Sequence, residues 1–153
     1  MMWGSASDYD AKSKVTRIFT ANNNFFHNPL TDLFPGVNPP PTGGVAAALD
    51  AFDGKILWAF ANPERQLGDD SLNALSQGPL AVANGVVFYP SMDGKGKLFY
   101  LDANTGKALG SAEMGASNAC GPAIVNSTVY SGSGYLAFGL GNRGNKFTAM
   151  ALA

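Results

Sequence analysis

Few residues in this 153-residue chain are of a type and spacing that could do chemistry. There is one histidine, His27, and one cysteine, Cys120. A lone imidazole has no second histidine or cysteine with which to share a metal, and one histidine in a loop makes no serine–histidine–acid set. The single cysteine rules out an internal disulfide, a four-cysteine zinc site and a Cys-x-x-Cys-His haem attachment. Within Ala119-Cys-Gly-Pro122 it reads as a small buried apolar residue rather than a reactive thiol. Gly139-Leu-Gly141-Asn-Arg-Gly144 spells the dinucleotide-binding fingerprint, but only nine residues follow Gly144 (153 minus 144). Neither the helix that must bind the pyrophosphate nor the acidic residue ~20 positions on has room to exist. Asp69-Asp70 is expected as a solvated turn, since two adjacent carboxylates are at most half a calcium site. Asn126-Ser-Thr128 is formally a glycosylation sequon, yet it stands where a hairpin turn wants asparagine for its tolerance of positive φ. What remains is a polar stretch, Asn22, Asn23 and Asn24, with His27 close by.

The elements that must position these residues are short strands. Gly78 to Gly110 reads as one complete antiparallel unit. Leu80–Ala83 is an apolar run, Asn84-Gly85 a two-residue turn, and Val86–Tyr89 a β-branched and aromatic run that pairs back across it. A glycine-rich break at Asp93-Gly94-Lys95-Gly96 precedes a third run at Leu98–Leu101. A turn at Asp102–Gly106 and a weaker strand at Lys107–Ala112 complete the unit.

The unit repeats. Ala48-Leu-Asp-Ala-Phe-Asp-Gly-Lys-Ile-Leu-Trp58 matches Tyr100-Leu-Asp-Ala-Asn-Thr-Gly-Lys-Ala-Leu-Gly110 at an offset of 52 (102 minus 50). Gly78-Pro79 followed by the Asn84-Gly85 hairpin is echoed by Gly121-Pro122 followed by Asn126-Ser127, at an offset of 42 (126 minus 84). A period in the forties to low fifties with four short strands per period is the pattern of propeller blades. The fold class expected is all-β, a partial β-propeller of four-stranded antiparallel blades.

Leu-Asp-Ala-x-x-Gly-Lys followed by Trp58, with an Asn-Gly-Val-Val-Phe hairpin between copies, resembles the pyrroloquinoline-quinone-type repeat of eight-bladed propellers of the quinoprotein alcohol dehydrogenase kind. Met2-Trp-Gly-Ser-Ala-Ser-Asp8, Thr42-Gly-Gly44, Asn84-Gly85 and the segment Gly132 to Gly141 make it most similar to polyvinyl-alcohol-dehydrogenase-like proteins near their C-terminal end. The resemblance implies that Trp58 docks between blades, a role that the copy at Gly110 cannot fill. It also implies that the parent fold holds pyrroloquinoline quinone, usually with calcium, near its axis and oxidises alcohols. Such parents are typically periplasmic or secreted.

The layout that follows is a blade over residues 1–60 with a long loop at 21–43, a connector at 61–77, a second blade over 78–113 and an incomplete third over 121–153. Met2–Ser7 is expected as the inner strand of the first blade and Val15–Thr20 as its second. Val45–Leu49 and Lys55–Phe60 supply the third and fourth. Pro122–Val125, Thr128–Ser131 and Phe147–Leu152 are the strands of the third blade. The loop at 21–43 holds the Pro39-Pro40-Pro41 run, and its length makes it either functional or disordered.

Charged residues are 14% of the chain, while glycine and proline together number 28 (19 plus 9) and 46% of the chain is apolar. Such a chain is dense in turns and still able to build a core. A net charge of -1 offers no field for nucleic acid or an anionic membrane. No stretch approaches the ~20 apolar residues that span a bilayer, and the first ten residues lack the basic and apolar regions of a signal peptide.

Two function classes stand: a fragment or divergent member of a quinoprotein dehydrogenase, or a non-enzymatic propeller module that binds protein or carbohydrate. No carboxylate or calcium ligand matches the family's site, so catalytic and cofactor-binding residues stay unassigned. The residues offered for polar contacts facing the axis are Asn22, Asn23, Asn24 and His27. The partners expected are further blades or copies of the same chain, because a blade is apolar on both faces and each terminal blade of an open arc leaves one face bare. Size-exclusion chromatography with light scattering should therefore show association or partial folding of the isolated chain. A sharp, cooperatively melting monomer of 15.9 kDa would contradict this.

Overall fold

A computed structural model describes residues 4–151. Among them there is no helix, and the strands are β1 (Ala6–Asp10), β2 (Val15–Asn22), β3 (Val45–Asp50), β4 (Ile56–Ala61), β5 (Arg65–Gln66), β6 (Asp69–Asn73), β7 (Ala81–Ala83), β8 (Val86–Pro90), β9 (Lys97–Asp102), β10 (Ala108–Glu113), β11 (Ala123–Val125), β12 (Thr128–Gly132), β13 (Leu136–Ala137), β14 (Leu140–Gly141) and β15 (Phe147–Ala151). They form a four-stranded antiparallel sheet β1-β2-β3-β4, a second in the order β7-β8-β9-β10, a three-stranded sheet β11-β12-β15, and two small hairpins. The sheets are consecutive blades. Their first strands lie side by side, β1 against β7 and β7 against β11, which places the propeller axis along these inner strands.

Local chemistry explains the hairpins. Asn84 and Gly85 have φ of 49° and 75°, and Asn126 and Ser127 have φ of 46° and 60°, so both turns need residues that tolerate the left-handed region. Two-residue turns also decide which side chains share a face. Val82 stands opposite Val87, and Leu80 and Val82 pack with Val87, Tyr89, Phe99 and Leu101 toward the first sheet. Simple alternation along the chain puts Leu80 and Val82 with Val86 and Phe88 instead; pairing across the turn overrides it. Val86, Phe88, Leu98 and Tyr100 face the third sheet.

Three further expectations are corrected. The inner strand of the first blade runs over Ala6–Asp10, not Met2–Ser7, because the turn that ends it is set by Asp10, whose carboxylate accepts from the Lys12 N–H at 3.0 Å and the Ser13 hydroxyl at 2.5 Å. Met2 lies outside the described residues. Asp69 and Asp70 are exposed as expected, but they open strand β6 and are not in a turn; the turn is Leu67-Gly68, with Gly68 at φ 85°. Gly139–Gly144 belongs to the β13–β14 hairpin and the loop after it, with no helix to meet a phosphate. Leu152, the expected end of the last strand, also lies outside the described residues.

The first and second blades are joined at one point. Both copies of the repeated turn carry a bulge, between Ala48 and Leu49 on β3 and between Ala108 and Gly110 on β10. In the first blade this bulge aims Trp58 at the second, where its indole N–H donates to the Ala103 carbonyl at 3.0 Å. The ring lies over Gly106, where a Cβ would come within 2.5 Å of the indole and where φ is 69°, so only glycine fits. Arg17 reaches the same turn. Its guanidinium donates to the Ala103 carbonyl at 3.0 Å and to Asn104 Oδ1 at 2.6 Å, while Asp8 grips it from behind at 2.8 and 2.6 Å. That hydrogen-bonded carboxylate holds the Arg17 pKa above its usual value.

The outer faces of the arc are bare. Ile18, Thr20 and Leu49 are half-buried on the far side of the first blade, and Val125, Tyr130 and Phe147 lie on the far side of the third, Phe147 being 74% exposed. Removing the indole should destabilise the arc far more than a surface change. Trp58→Ala is expected to cost about 3–5 kcal/mol in chemical denaturation, as for other large core truncations. Trp58→Phe, which keeps the ring but loses the N–H, should cost less, and Phe52→Ser on an exposed turn should cost nothing measurable.

Candidate functional site

In an antiparallel blade, the loop between the second and third strands and the connector from the fourth strand to the next blade emerge at the same end. At that end the structure collects polar side chains that are buried: Asn23, Asn62, Ser76, Gln77, Ser91, Asp93, Ser117, Asn118 and Ser131. Burial of polar groups is costly unless each finds a partner, and nearly all of these do, in one continuous ladder.

The ladder starts in the loop at 21–43. Asn24 Nδ2 donates to the carbonyls of Asn28 at 2.8 Å and Thr42 at 2.9 Å, and His27 Nδ1 lies 3.1 Å from the same Thr42 carbonyl. Thr42 N–H donates to Asn73 Oδ1 at 3.2 Å, and Asn73 Nδ2 donates to the Asn62 carbonyl at 3.1 Å. Asn62 Nδ2 then crosses to the second blade, donating to Ser91 Oγ at 2.9 Å. From Ser91 the carbonyl accepts the Asn118 N–H at 2.9 Å, and Asn118 Nδ2 donates to Ser131 Oγ in the third blade at 3.1 Å. The junctions repeat each other. Asn62 Oδ1 accepts from the Glu64 N–H and Asn118 Oδ1 from the Cys120 N–H, each two residues on. An asparagine after each fourth strand thus makes its own turn with one end of its amide and ties the next blade with the other.

The residues expected to face the axis are therefore only partly assembled. Asn22, Asn24 and His27 come together, but at the end of β2, a strand removed from the inner strands, and their polar atoms fold the loop onto itself: Asn22 Oδ1 accepts from the Asn24 N–H at 2.9 Å. Asn23 is buried. Cys120, expected to be buried, is exposed. It follows the turn made by Asn118, and its side chain enters a crevice of about 290 Å³ with Ser117, Gly132, Ser133 and Tyr135 rather than a core position.

The one buried carboxylate of this end is Asp93. Oδ1 accepts from the N–H groups of Lys95 and Gly96, and Oδ2 from that of Lys97, at 2.8–3.1 Å. Both of its oxygens serve its own turn. The Asp69 and Asp102 turn carboxylates have pKa values below the ordinary 3.8. At Asp69 the Ser71 hydroxyl is the main cause; at Asp102 partial burial opposes the shift, but the Thr105 hydroxyl with the Thr105 and Asn104 N–H groups outweighs it. Tyr89 is wholly buried, which pushes its pKa up, and its hydroxyl makes no hydrogen bond because the nearby Ser76 hydroxyl donates to the Pro90 carbonyl at 2.6 Å. Gln77 Oε1, just before the inner strand of the second blade, is a second buried acceptor without a partner.

This donor set was tested against a quinone with calcium, the group that such propellers hold. It does not fit. Among the described residues no three histidine, cysteine, aspartate or glutamate side chains converge, and the buried carboxylate is saturated by its own turn. A calcium ion needs six to eight oxygens with carboxylates among them. The arrangement positions blades and neutral polar ligands; it moves no proton.

Sequence reasoning missed the ladder. Asn62 and Asn118 stand 56 apart (118 minus 62) and Ser91 and Ser131 stand 40 apart (131 minus 91), while the visible repeats run at 52 and 42. Only the fold brings them into equivalent places.

No family model matches the sequence, and no curated protein matches it. Among solved structures, the quinohaemoprotein alcohol dehydrogenase from Comamonas testosteroni is similar over 95% of this chain and 25% of its own, at 16% identity and a TM-score of 0.52. A europium-containing methanol dehydrogenase matches over 75% of this chain and 18% of its own, at 22% identity and a TM-score of 0.49. BamB from Moraxella catarrhalis matches over 84% and 29%, at 18% identity and a TM-score of 0.45. The likeness to the Comamonas enzyme establishes the fold, a partial β-propeller of quinoprotein-dehydrogenase type. The chain spans about a quarter of that protein's length.

Because each asparagine of the ladder leaves buried partners behind when it is removed, Asn62→Ala and Asn118→Ala should each cost about 1–3 kcal/mol. Asn22→Ala, at an exposed strand end, should cost less than either, as read from urea denaturation midpoints.

Proposed function

We propose that this chain is an arc of a larger propeller of the quinoprotein dehydrogenase type, similar to the polyvinyl-alcohol-dehydrogenase-like proteins. The whole ring would oxidise an alcohol with pyrroloquinoline quinone as the immediate electron acceptor. The observation that carries the reading is the pair formed by the repeated motif: the Trp58 indole of one copy sits over Gly106 of the next and bonds the Ala103 carbonyl between them. The fold shared with the Comamonas enzyme supports the same reading. In such proteins the cofactor carries the redox chemistry while the protein binds and orients it.

The share assigned to this chain is structural. It supplies docked blades and a neutral polar rim, and no step of the reaction is given to its residues. Its open faces call for further blades. Incubated with pyrroloquinoline quinone and calcium and offered a primary or secondary alcohol, the isolated chain should not reduce an electron-accepting dye. Robust turnover would overturn the proposal, whereas turnover only by a longer polypeptide that completes the ring would support it.

A further inference from the structure

The two junctions between blades are built from equivalent rows of three side chains, and they are filled differently. At the first junction the row is Phe19, Ala48 and Trp58, which are cross-strand partners on β2, β3 and β4. At the second it is Phe88, Tyr100 and Gly110 on β8, β9 and β10. The aromatic pair survives the exchange, with ring centroids 5.9 Å apart for Phe19 and Trp58 and 5.6 Å for Phe88 and Tyr100. Bulk has moved from the outer strand to its inner neighbour, and the indole's place is empty. A Cβ at Gly110 would meet only the Tyr100 ring, at an ordinary 3.5 Å, so its side-chain direction is open.

A cleft of about 390 Å³ lies between the second and third blades beside this position. Phe88, Tyr100, Leu109, Ile124, Val129 and Met150 line it, with Asn84 and Ser127 of the two hairpin turns contributing polar atoms. Its walls belong to both sheets: Phe88 and Val129 are buried at its back, and the Tyr100 hydroxyl bonds Met150 Sδ at 3.3 Å across it. Size and apolar lining with a few polar groups are those of a small-molecule site.

We infer that this cleft binds a flat, uncharged aromatic molecule the size of indole, taking the place that Trp58 holds at the preceding junction. The exposed faces of the arc offer apolar area but no walls, whereas here two sheets and an aromatic pair leave a slot of defined shape. Neither the quinone nor the redox reaction enters the inference, so it stands or falls apart from the reading above.

The test is saturation-transfer NMR on indole with the 153-residue chain, which reads the ligand and tolerates an associating protein. Transfer to the indole ring protons is expected with the unaltered chain. With Gly110→Trp, which fills the slot from within, affinity should fall by about tenfold or more. If that variant does not fold by circular dichroism, Leu109→Trp blocks the same slot from the bulge and should give the same loss. Absence of transfer to the unaltered chain, or equal transfer with a folded blocking variant, would overturn the inference, the latter because it would place indole on the open faces.

Discussion

The Ala103 carbonyl is where the arc is held together. One oxygen with two lone pairs accepts two hydrogen bonds from the neighbouring blade, one from the Trp58 indole and one from the Arg17 guanidinium, each at 3.0 Å. Both donors are buried there. The arginine can be buried because Asp8 neutralises it with two hydrogen bonds and Phe19 lies under it, 5.4 Å from guanidinium carbon to ring centroid. A buried charge without that partner would cost more than the contact returns. The turn that presents the carbonyl is in turn shaped by Asp102, whose carboxylate accepts from Asn104 and Thr105.

The opposite end of the blades uses a different chemistry for the same task. Close backbone approach and neutral amides replace the indole and the charge. Gly43 and Gly44 leave no room for a Cβ against Asn73, Ala74 and Ser76, which lets the connector run along the first blade and bring Asn62 to Ser91. At the inner strands, Pro79 packs on Gly121 so closely that a Cβ there would come within 2.6 Å of the proline ring. The repeated Gly-Pro pairs are thus contacts between successive blades as well as turn signals.

These two ends explain why the junctions tolerate unequal filling. The second junction keeps its asparagine tie, Asn118 to Ser131, and its aromatic pair, but has Gly110 in place of the indole. Its lock is carried by the polar end, and the apolar end is left with a cleft.

The sequence by itself determined the blade architecture, the hairpin turns and the tryptophan between blades. Each of these depends on local chemistry: positive φ at Asn84 and Asn126, β-branched and aromatic runs of strand length, and a motif repeated along the chain. Turn chemistry also reached too far at Asp69-Asp70, where an exposed pair opens a strand, and residue type misled at Cys120, whose position after an asparagine turn puts it at the surface. Only the tertiary structure decided that Leu80 and Val82 face the first blade, that Tyr100 takes over bulk lost at Gly110, and that Asn62, Ser91, Asn118 and Ser131 form one ladder. The physical reason is the same in all three cases. These are contacts between strands or sheets, made by residues 5 to 40 positions apart whose spacing follows no single repeat, so their partners exist only once the blades have docked.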